Sequence, residues 1–262
     1  MFRRILPLAL APVLGAFWAT GPGGVPAAQT TVAQVVGAPF DPAPLAGRCG
    51  DPAGSWLGMR WFTEYRWLFN GESVPSYLQK SAARPWAATA LTATRAAART
   101  VATGRNDCGL EDLALLRQAY DGGTGRSAAI TDQGGCGGRD GHNVVSFGSL
   151  PAGLLAVTCV WWEGVHQDQH GVHRDQHSVE ADILVNSAGG VFFLTQPDDC
   201  RTRWDLESIL THEFGHVFGL GHVSYARHSV LTMSDGLPEC VTGYRSLGLG
   251  DYLTLRRHYT DS

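Results

Sequence analysis

Alternating polar and aromatic residues predict the first ordered element of the chain. The stretch 61–69 has Glu64 and Arg66 at even positions and large aromatic residues at four odd ones, namely Trp61, Tyr65, Trp67 and Phe69. This period of two is typical of a strand with one buried face. Short apolar runs bounded by polar or glycine-rich sequence predict three further strands, at 144–147, 155–162 and 179–186.

Longer stretches with helical composition or spacing alternate with these strands. An alanine-rich segment predicts a helix that is kinked or split at Pro85. A later segment has apolar residues at helical spacing, with Asp205 in the N-cap position and Gly219 at its end. The predicted helices are 75–100, 111–120, 204–218 and 251–258. Strands and helices that alternate in this way predict an α/β fold.

The first residues have the order of a secretory leader. Arg3 and Arg4 precede an apolar run over 5–19, and small residues follow up to Ala28. This order predicts a signal peptide at 1–27. The alternative is an N-terminal membrane anchor, for which the apolar run is short. We therefore expect a secreted, extracellular protein whose mature form does not span a membrane.

The rest of the chain is long enough for one domain with a sizeable core. Residues 28–55 are rich in Ala, Pro, Gly and Val without a sustained period, so we interpret them as a short propiece or an irregular N-terminal arm. Residues 56–262 form the predicted domain. The formal net charge of −4 gives no reason to expect a nucleic-acid partner, and we expect a monomer.

The sequence HEFGHVFGLGH at 212–222 predicts a catalytic zinc site. On a helix His212 and His216 project from one face at a spacing that one zinc ion can bridge. Gly219 ends the helix, so that the chain can turn and bring in His222 as a third ligand. Three protein ligands leave a position open, and Glu213 beside them suits a general base. The alternative is a solvent-facing helix whose histidines recur by chance, which the added glycine and third histidine disfavour.

This motif, followed by a methionine, resembles that of the metzincin metallopeptidases. Met233 is similar to the methionine that lies on a tight turn beneath the metal in that family. Three further segments, at 180–183, 247–251 and 257–259, resemble the matrixins and their bacterial relatives. The resemblance implies a twisted, mainly parallel five-stranded sheet with an antiparallel edge strand, two long helices and a small C-terminal subdomain.

The resemblance also implies that the chain is a secreted zinc-dependent endopeptidase with its catalytic domain at 56–262. Glu213 would take a proton from the attacking water and return it to the leaving amine. The protein or peptide substrate would lie extended in the cleft and add a strand to the sheet edge at 155–162. The alternatives are a secreted zinc amidase that acts on cell wall or small substrates, and a non-catalytic secreted metal-binding protein.

Six cysteines in an exported chain favour disulfides, although the count alone permits fifteen pairings. Cys200 and Cys240 flank the predicted zinc helix and the methionine segment, so we expect them to pair. We then pair Cys108 with Cys136 locally, which leaves Cys49 for Cys159. The alternative for Cys49 is a role similar to the matrixin cysteine switch, in which a propeptide thiolate binds the zinc.

Two further segments are candidates for metal binding. A histidine-rich loop includes His166, Asp168 and His177, and matrixins carry a structural zinc bound by a similar His-x-Asp pair. A solvated polar loop is the alternative, and we favour it. Residues 140–143 have the oxygen ligands and glycine of a calcium loop, although we favour a simple turn as their explanation. The expected cofactors are therefore catalytic Zn²⁺, with Ca²⁺ or a second Zn²⁺ as candidates.

Overall fold

The computed structural model describes residues 29–39, 45–79, 89–113, 116–164, 176–188 and 191–260. The predicted signal peptide at 1–27 lies outside them. Within the described residues the chain has a mixed α/β fold. Its strands are β1 (Gln29–Ala38), β2 (Met59–Arg60), β3 (Tyr65–Phe69), β4 (Gln118–Gly123), β5 (Val144–Gly148), β6 (Leu154–Glu163), β7 (Gln176–Asn186), β8 (Phe192–Phe193), β9 (Trp204–Asp205) and β10 (Gly236–Pro238). Its helices are α1 (Ala90–Thr103), α2 (Leu206–Val217), α3 (Tyr225–His228) and α4 (Leu249–Tyr259).

One large sheet organises the molecule. Its strands follow the order β10-β1-β6-β7-β5-β3-β4, and β2 pairs with β7 outside this order. β3, β4, β5 and β7 pair in parallel, whereas β6 is antiparallel to both of its neighbours. The prediction of a mainly parallel sheet is therefore confirmed, but the antiparallel strand β6, expected at the edge, lies between β1 and β7.

The predicted position of the sheet edge is wrong. We expected five strands with 155–162 at the edge, but among the described residues the sheet has eight strands and β1 pairs with β6 on its outer side. Residues 28–55, which we interpreted as a propiece or an irregular arm, thus contain a ten-residue strand. Its apolar residues lie on both faces, with Val35 buried and Val36 exposed, so the sequence lacks the alternation that predicts a strand.

The alternation in β3 is confirmed, because Tyr65, Trp67 and Phe69 are buried while Arg66 is exposed. The expected strands at β5, β6 and β7 are also present, each within a few residues of its predicted bounds. Large side chains at the buried positions of β3 fill the space between the sheet and the helices. They therefore fix which face of the sheet receives α2.

The two C-terminal helix predictions are confirmed as α2 and α4. The prediction at 75–100 is partly right, and the one at 111–120 is wrong. α1 begins at Ala90, where the Thr89 side chain caps it, and Pro85 lies outside the described residues. In the described part of 111–120 the expected helix is not formed: residues 111–113 are not helical, and β4 begins at Gln118 and pairs with β3. Pairing with a neighbouring strand overrides the weak helical preference of this short segment.

Both long helices pack on one face of the sheet, against each other. Side chains of α1, α2, β3 and β7 share one core, which includes Ala97, Phe214, Trp67 and Ile183. A smaller apolar cluster lies on the opposite face under the loop before β5 and includes Cys159 of β6. Neighbouring positions on β6 therefore point to different cores, as the pleat of a strand requires.

Three disulfides are formed, and one of the three predicted pairs is confirmed. Cys200 pairs with Cys240 across 40 residues of chain. The other pairs are Cys49 with Cys108 and Cys136 with Cys159, so both remaining predictions are wrong. None of the six cysteines is free, which leaves Cys49 without the thiolate that a cysteine switch needs.

The sheet order explains these pairings. Cys108 precedes β4 at one edge of the sheet, whereas Cys136 lies beside β6, with three strands between β4 and β6. At about 4.8 Å per strand, that distance far exceeds the reach of a disulfide. Cys159 faces the apolar cluster away from the helices, so it reaches Cys136 and not Cys49. We had paired Cys108 with Cys136 because they are close in sequence, but the chain crosses the sheet between them.

The segment before β2 is built into the C-terminal part of the molecule. Arg48 is buried and donates hydrogen bonds to the carbonyl oxygens of Gly243 and Ser246 and to the Thr232 hydroxyl. Farther along, the Trp56 ring stacks on that of His258 at 4.0 Å.

In the described part of the chain, no helix is both long enough and apolar enough to cross a membrane.

Candidate metal centre

Helix α2 carries the first two histidines, and its N-terminus is held by hydrogen bonds to Asp205. The Asp205 carboxylate accepts hydrogen bonds from the Ser208 backbone N–H at 3.0 Å and its hydroxyl at 2.7 Å, which confirms the predicted N-cap. Arg245 donates two hydrogen bonds to the same carboxylate. Nine of the twelve residues of this helix follow Ser208 and are buried, so its register against the sheet is fixed by packing.

A left-handed turn brings the third histidine to the other two. Gly219 has φ of 91°, a conformation that favours glycine. A Cβ atom there would lie 2.3 Å from the Met59 carbonyl oxygen, so a side chain is excluded by space as well. The turn is held to the segment before β2, because the Leu57 N–H donates to the Gly219 carbonyl and the Gly221 N–H to the Ser55 carbonyl, and it returns His222 toward α2.

The Nε2 atoms of the three histidines converge on one point. The distances are 2.9 Å between His212 and His216, 2.9 Å between His212 and His222, and 3.0 Å between His216 and His222. An ion at the usual Zn–N distance of about 2.0–2.1 Å reaches three nitrogens so spaced from one point. Among the described residues this is the one group of three ligand side chains that could hold a metal.

Hydrogen bonds to the other ring nitrogens fix the tautomers. The Nδ1 atom of His212 lies 2.7 Å from the Thr232 carbonyl oxygen, and that of His216 lies 2.8 Å from the Leu220 carbonyl oxygen. A carbonyl only accepts, so each Nδ1 carries the proton and each Nε2 presents a lone pair. Two lone pairs that face each other at 2.9 Å repel unless a cation lies between them. The donor set therefore fits a metal ion.

Burial keeps all three rings neutral. It lowers the pKa of His212 and of His216 well below the ordinary value, and the neighbouring His222 lowers both further. Burial also lowers the pKa of His222 to about 4, against the opposing charge of Asp235. Neutral imidazole is the form that binds a metal, so these shifts favour metal binding at neutral pH.

Met233 lies against α2 between the two helical histidines. A Cβ atom on Gly215 would be 2.3 Å from the Met233 sulfur, so the glycine allows this close approach. The turn that carries Met233 is held by Asp251, whose carboxylate accepts the backbone N–H groups of Thr232, at 2.9 Å, and of Met233. Burial raises the pKa of Asp251 to about 6, against these hydrogen bonds.

Glu213 lies beside the cluster, and its carboxylate is fully buried. The Thr158 hydroxyl of β6 donates a hydrogen bond to one of its oxygens, Oε2. The other, Oε1, is buried and has no hydrogen-bond partner among the described residues. Burial raises the pKa of Glu213 to about 8, although the bond from Thr158 lowers it. An oxygen without a partner is available to a ligand that carries a proton.

Thr158 was missed by the sequence reasoning. The available signal was a hydroxyl within a strand, β6, that is otherwise apolar from Leu154 to Trp162 apart from a cysteine. Its position places it on the face of the sheet that receives α2, opposite in direction to Cys159. A buried hydroxyl on the core side of an apolar strand needs a hydrogen-bond partner, which in this protein is Glu213.

The second candidate metal site remains a prediction. His166 and Asp168 lie outside the described residues, and His177 is half-buried at the start of β7. At 140–143 the Asp140 carboxylate accepts the backbone N–H of His142 at 3.0 Å. The buried Glu180 carboxylate accepts the N–H groups of Asp140 and Gly141. These hydrogen bonds form a turn, which agrees with the simple turn that was the alternative to a calcium loop at 140–143.

The fold and the cluster together define a mixed α/β protein with a three-histidine candidate metal centre. No family model matches the chain, and a search of curated proteins finds no match either. The chemistry of the site and the motif that forms it are therefore the basis for assigning a function.

Proposed function

We propose that the protein is a secreted zinc-dependent endopeptidase of the metzincin type, with a site that resembles that of the matrixins. The observation that carries the proposal is the convergence of the three Nε2 atoms beside a buried carboxylate, one oxygen of which has no partner among the described residues. His212, His216 and His222 would hold the metal. When bound, zinc supplies a Lewis acid, lowers the pKa of water and favours the ionised form of Glu213.

Glu213 is the proposed general base. Its free oxygen accepts a proton from the attacking water and then donates that proton to the leaving amine, while the Thr158 hydroxyl keeps the other oxygen in place. The Thr232 and Leu220 carbonyls hold the imidazole rings in orientation. Met233 packs against Gly215 of α2 and takes no part in proton transfer.

Three features support export and the expected substrate. The three disulfides are those of a protein that folds in an oxidising environment. The signal-peptide pattern at 1–27 agrees with them. An extended peptide is the proposed ligand because β6, which carries Thr158, pairs with an extended segment, β1, beside the site.

Hydrolysis of an internally quenched peptide library by the purified secreted protein tests the proposal. We expect cleavage within the peptides, its loss with a chelator, and its return with Zn²⁺ but not with Ca²⁺. Glu213→Gln should keep one bound zinc and lose activity by about 10² to 10⁴. If cell-wall amides are hydrolysed and peptides are not, the protein is an amidase. Bound zinc with no hydrolysis of either would make it a non-catalytic binding protein.

A further inference from the structure

The edge of the sheet at which a peptide would bind is already filled by the chain itself. β1 runs antiparallel to β6, with partners from Gln29 opposite Trp162 to Val36 opposite Leu154. On its other side it runs parallel to β10, over residues 36–38. The strand therefore lies in the groove between β6 and β10, with the backbone pairing that an extended peptide would make.

Both walls of this groove belong to the candidate centre. Ala33 pairs with Thr158, the residue that holds Glu213. At the other wall, the backbone N–H of Val36 donates to the Asp235 carbonyl at 3.4 Å, and the N–H of Asp235 donates to the carbonyl of Val223, next to His222. β1 thus spans the gap between the base and the third ligand.

The side chains of β1 differ in burial between its two faces, so their contributions can be separated experimentally. Val35 is fully buried in the core shared with Leu210 of α2 and Leu237 of β10. Gly37 passes so close to Trp204 that a Cβ atom would lie 2.4 Å from the indole ring. On the outer face, Val32 is 44% exposed.

The pairing of β1 is also one-sided over most of its length. Within the described ranges its first seven residues pair with β6 alone, since β10 reaches only residues 36–38. By contrast, β6 and β7 have partners on both sides. A strand held by one ladder can be displaced by another peptide that makes the same backbone hydrogen bonds.

We propose that residues 29–38 are an internal competitor that occupies the peptide groove and closes the site until the strand is displaced or removed. This inference rests on the proposed peptidase function. It explains why Glu213 is fully buried in a site that must admit a substrate. It needs no thiol, and so it agrees with the participation of Cys49 in a disulfide.

Competition within one chain has a kinetic signature. A substrate must displace the strand to bind, so KM rises by the ratio of closed to open protein while kcat stays unchanged. Val35→Ala removes buried methyl groups from the strand and should lower KM about tenfold. Val32→Ala, on the outer face of the same strand, is the matched control and should leave both constants unchanged. Zinc content and melting temperature would verify that each variant is folded.

A second variant leaves the core side chains in place. Gly37→Ala forces a contact with Trp204, so it should loosen the end of β1 and lower KM in the same way. A synthetic peptide of residues 29–38, QTTVAQVVGA, should inhibit Val35→Ala competitively, whereas a scrambled peptide should not. Unchanged KM in both variants, with no inhibition by the peptide, would overturn the inference.

Hydrogen exchange on the Glu213→Gln protein tests the same point without altering β1. Saturation with the best-cleaved library peptide should increase exchange at residues 31–36. If that peptide binds and these amides remain protected, β1 is a permanent strand and the inference is wrong, while the peptidase function stands. If zinc-loaded wild type, Val35→Ala and Gly37→Ala all fail to cleave any peptide, it is the proposed function that fails.

Discussion

Thr158→Val removes one hydroxyl and keeps the shape of the side chain, so it isolates the contact between β6 and the proposed base. Thr158 is fully buried, and its hydroxyl donates to Oε2 of Glu213. The variant would leave both carboxylate oxygens without a protein partner, because Oε1 has none among the described residues. The carboxylate would then be free to rotate away from the metal centre.

The expected effect follows from the strength of that bond. A hydrogen bond to a charged group contributes about 1.5–3 kcal/mol. If the contact is needed to hold Glu213 in its reactive orientation, the same energy appears in the barrier, at about 1.4 kcal/mol for each tenfold change in rate. Thr158→Val should therefore lower kcat by about ten- to a hundredfold. KM should change little, because the side chain faces the helix and not the groove.

Steady-state kinetics on one library peptide, with zinc content measured in parallel, would test this expectation. Thr158→Ser keeps the hydroxyl and should recover most of the activity, which a purely structural role for the methyl group would not allow. A Thr158→Val protein that binds one zinc and keeps kcat within about threefold of wild type would refute the positioning role. A loss of zinc together with activity would refute it as well, since the histidines do not contact Thr158.

Two other changes test the site and its frame. His222→Ala should weaken zinc binding by about a hundredfold or more, because one of three ligands is lost; equal zinc affinity in a competition titration would contradict the three-histidine centre. Replacing Cys200 and Cys240 by serine opens a loop of 40 residues and should lower the free energy of unfolding by about 4 kcal/mol in the chain-entropy model. A urea midpoint equal to that of wild type would show that this bond does not stabilise the fold.

The parts of the structure that could be predicted are those that short sequence windows determine. The spacing of His212 and His216 on a helix, the N-cap Asp205 and the break at Gly219 all follow from local chemistry. The alternation of buried and exposed residues in β3 could also be predicted, because one face of that strand packs against the helices. These features predict α2 and the position of its histidines correctly.

The parts that could not be predicted depend on contacts between distant residues. β1 gave no alternation, since apolar residues occupy both of its faces, and its partners lie more than a hundred residues away. The pairing of Cys49 with Cys108 required the position of the N-terminal arm. The contact between Thr158 and Glu213 required the register of a helix on a sheet, which residue spacing does not contain.

Arg48 gives the last prediction, because it links that arm to the metal centre. Its guanidinium is buried and donates to the Gly243 and Ser246 carbonyls, and to the hydroxyl of Thr232, whose own carbonyl orients His212. Arg48→Met should lower the free energy of unfolding by about 1.5–3 kcal/mol, the strength of a hydrogen bond to a charged group, and weaken zinc binding about tenfold. Arg48→Lys should recover little, since one amine cannot reach the same acceptors. Urea unfolding and zinc titration would measure both effects, with the exposed Arg257→Met as control. A loss no greater than the control's would mean that the arm does not support the site.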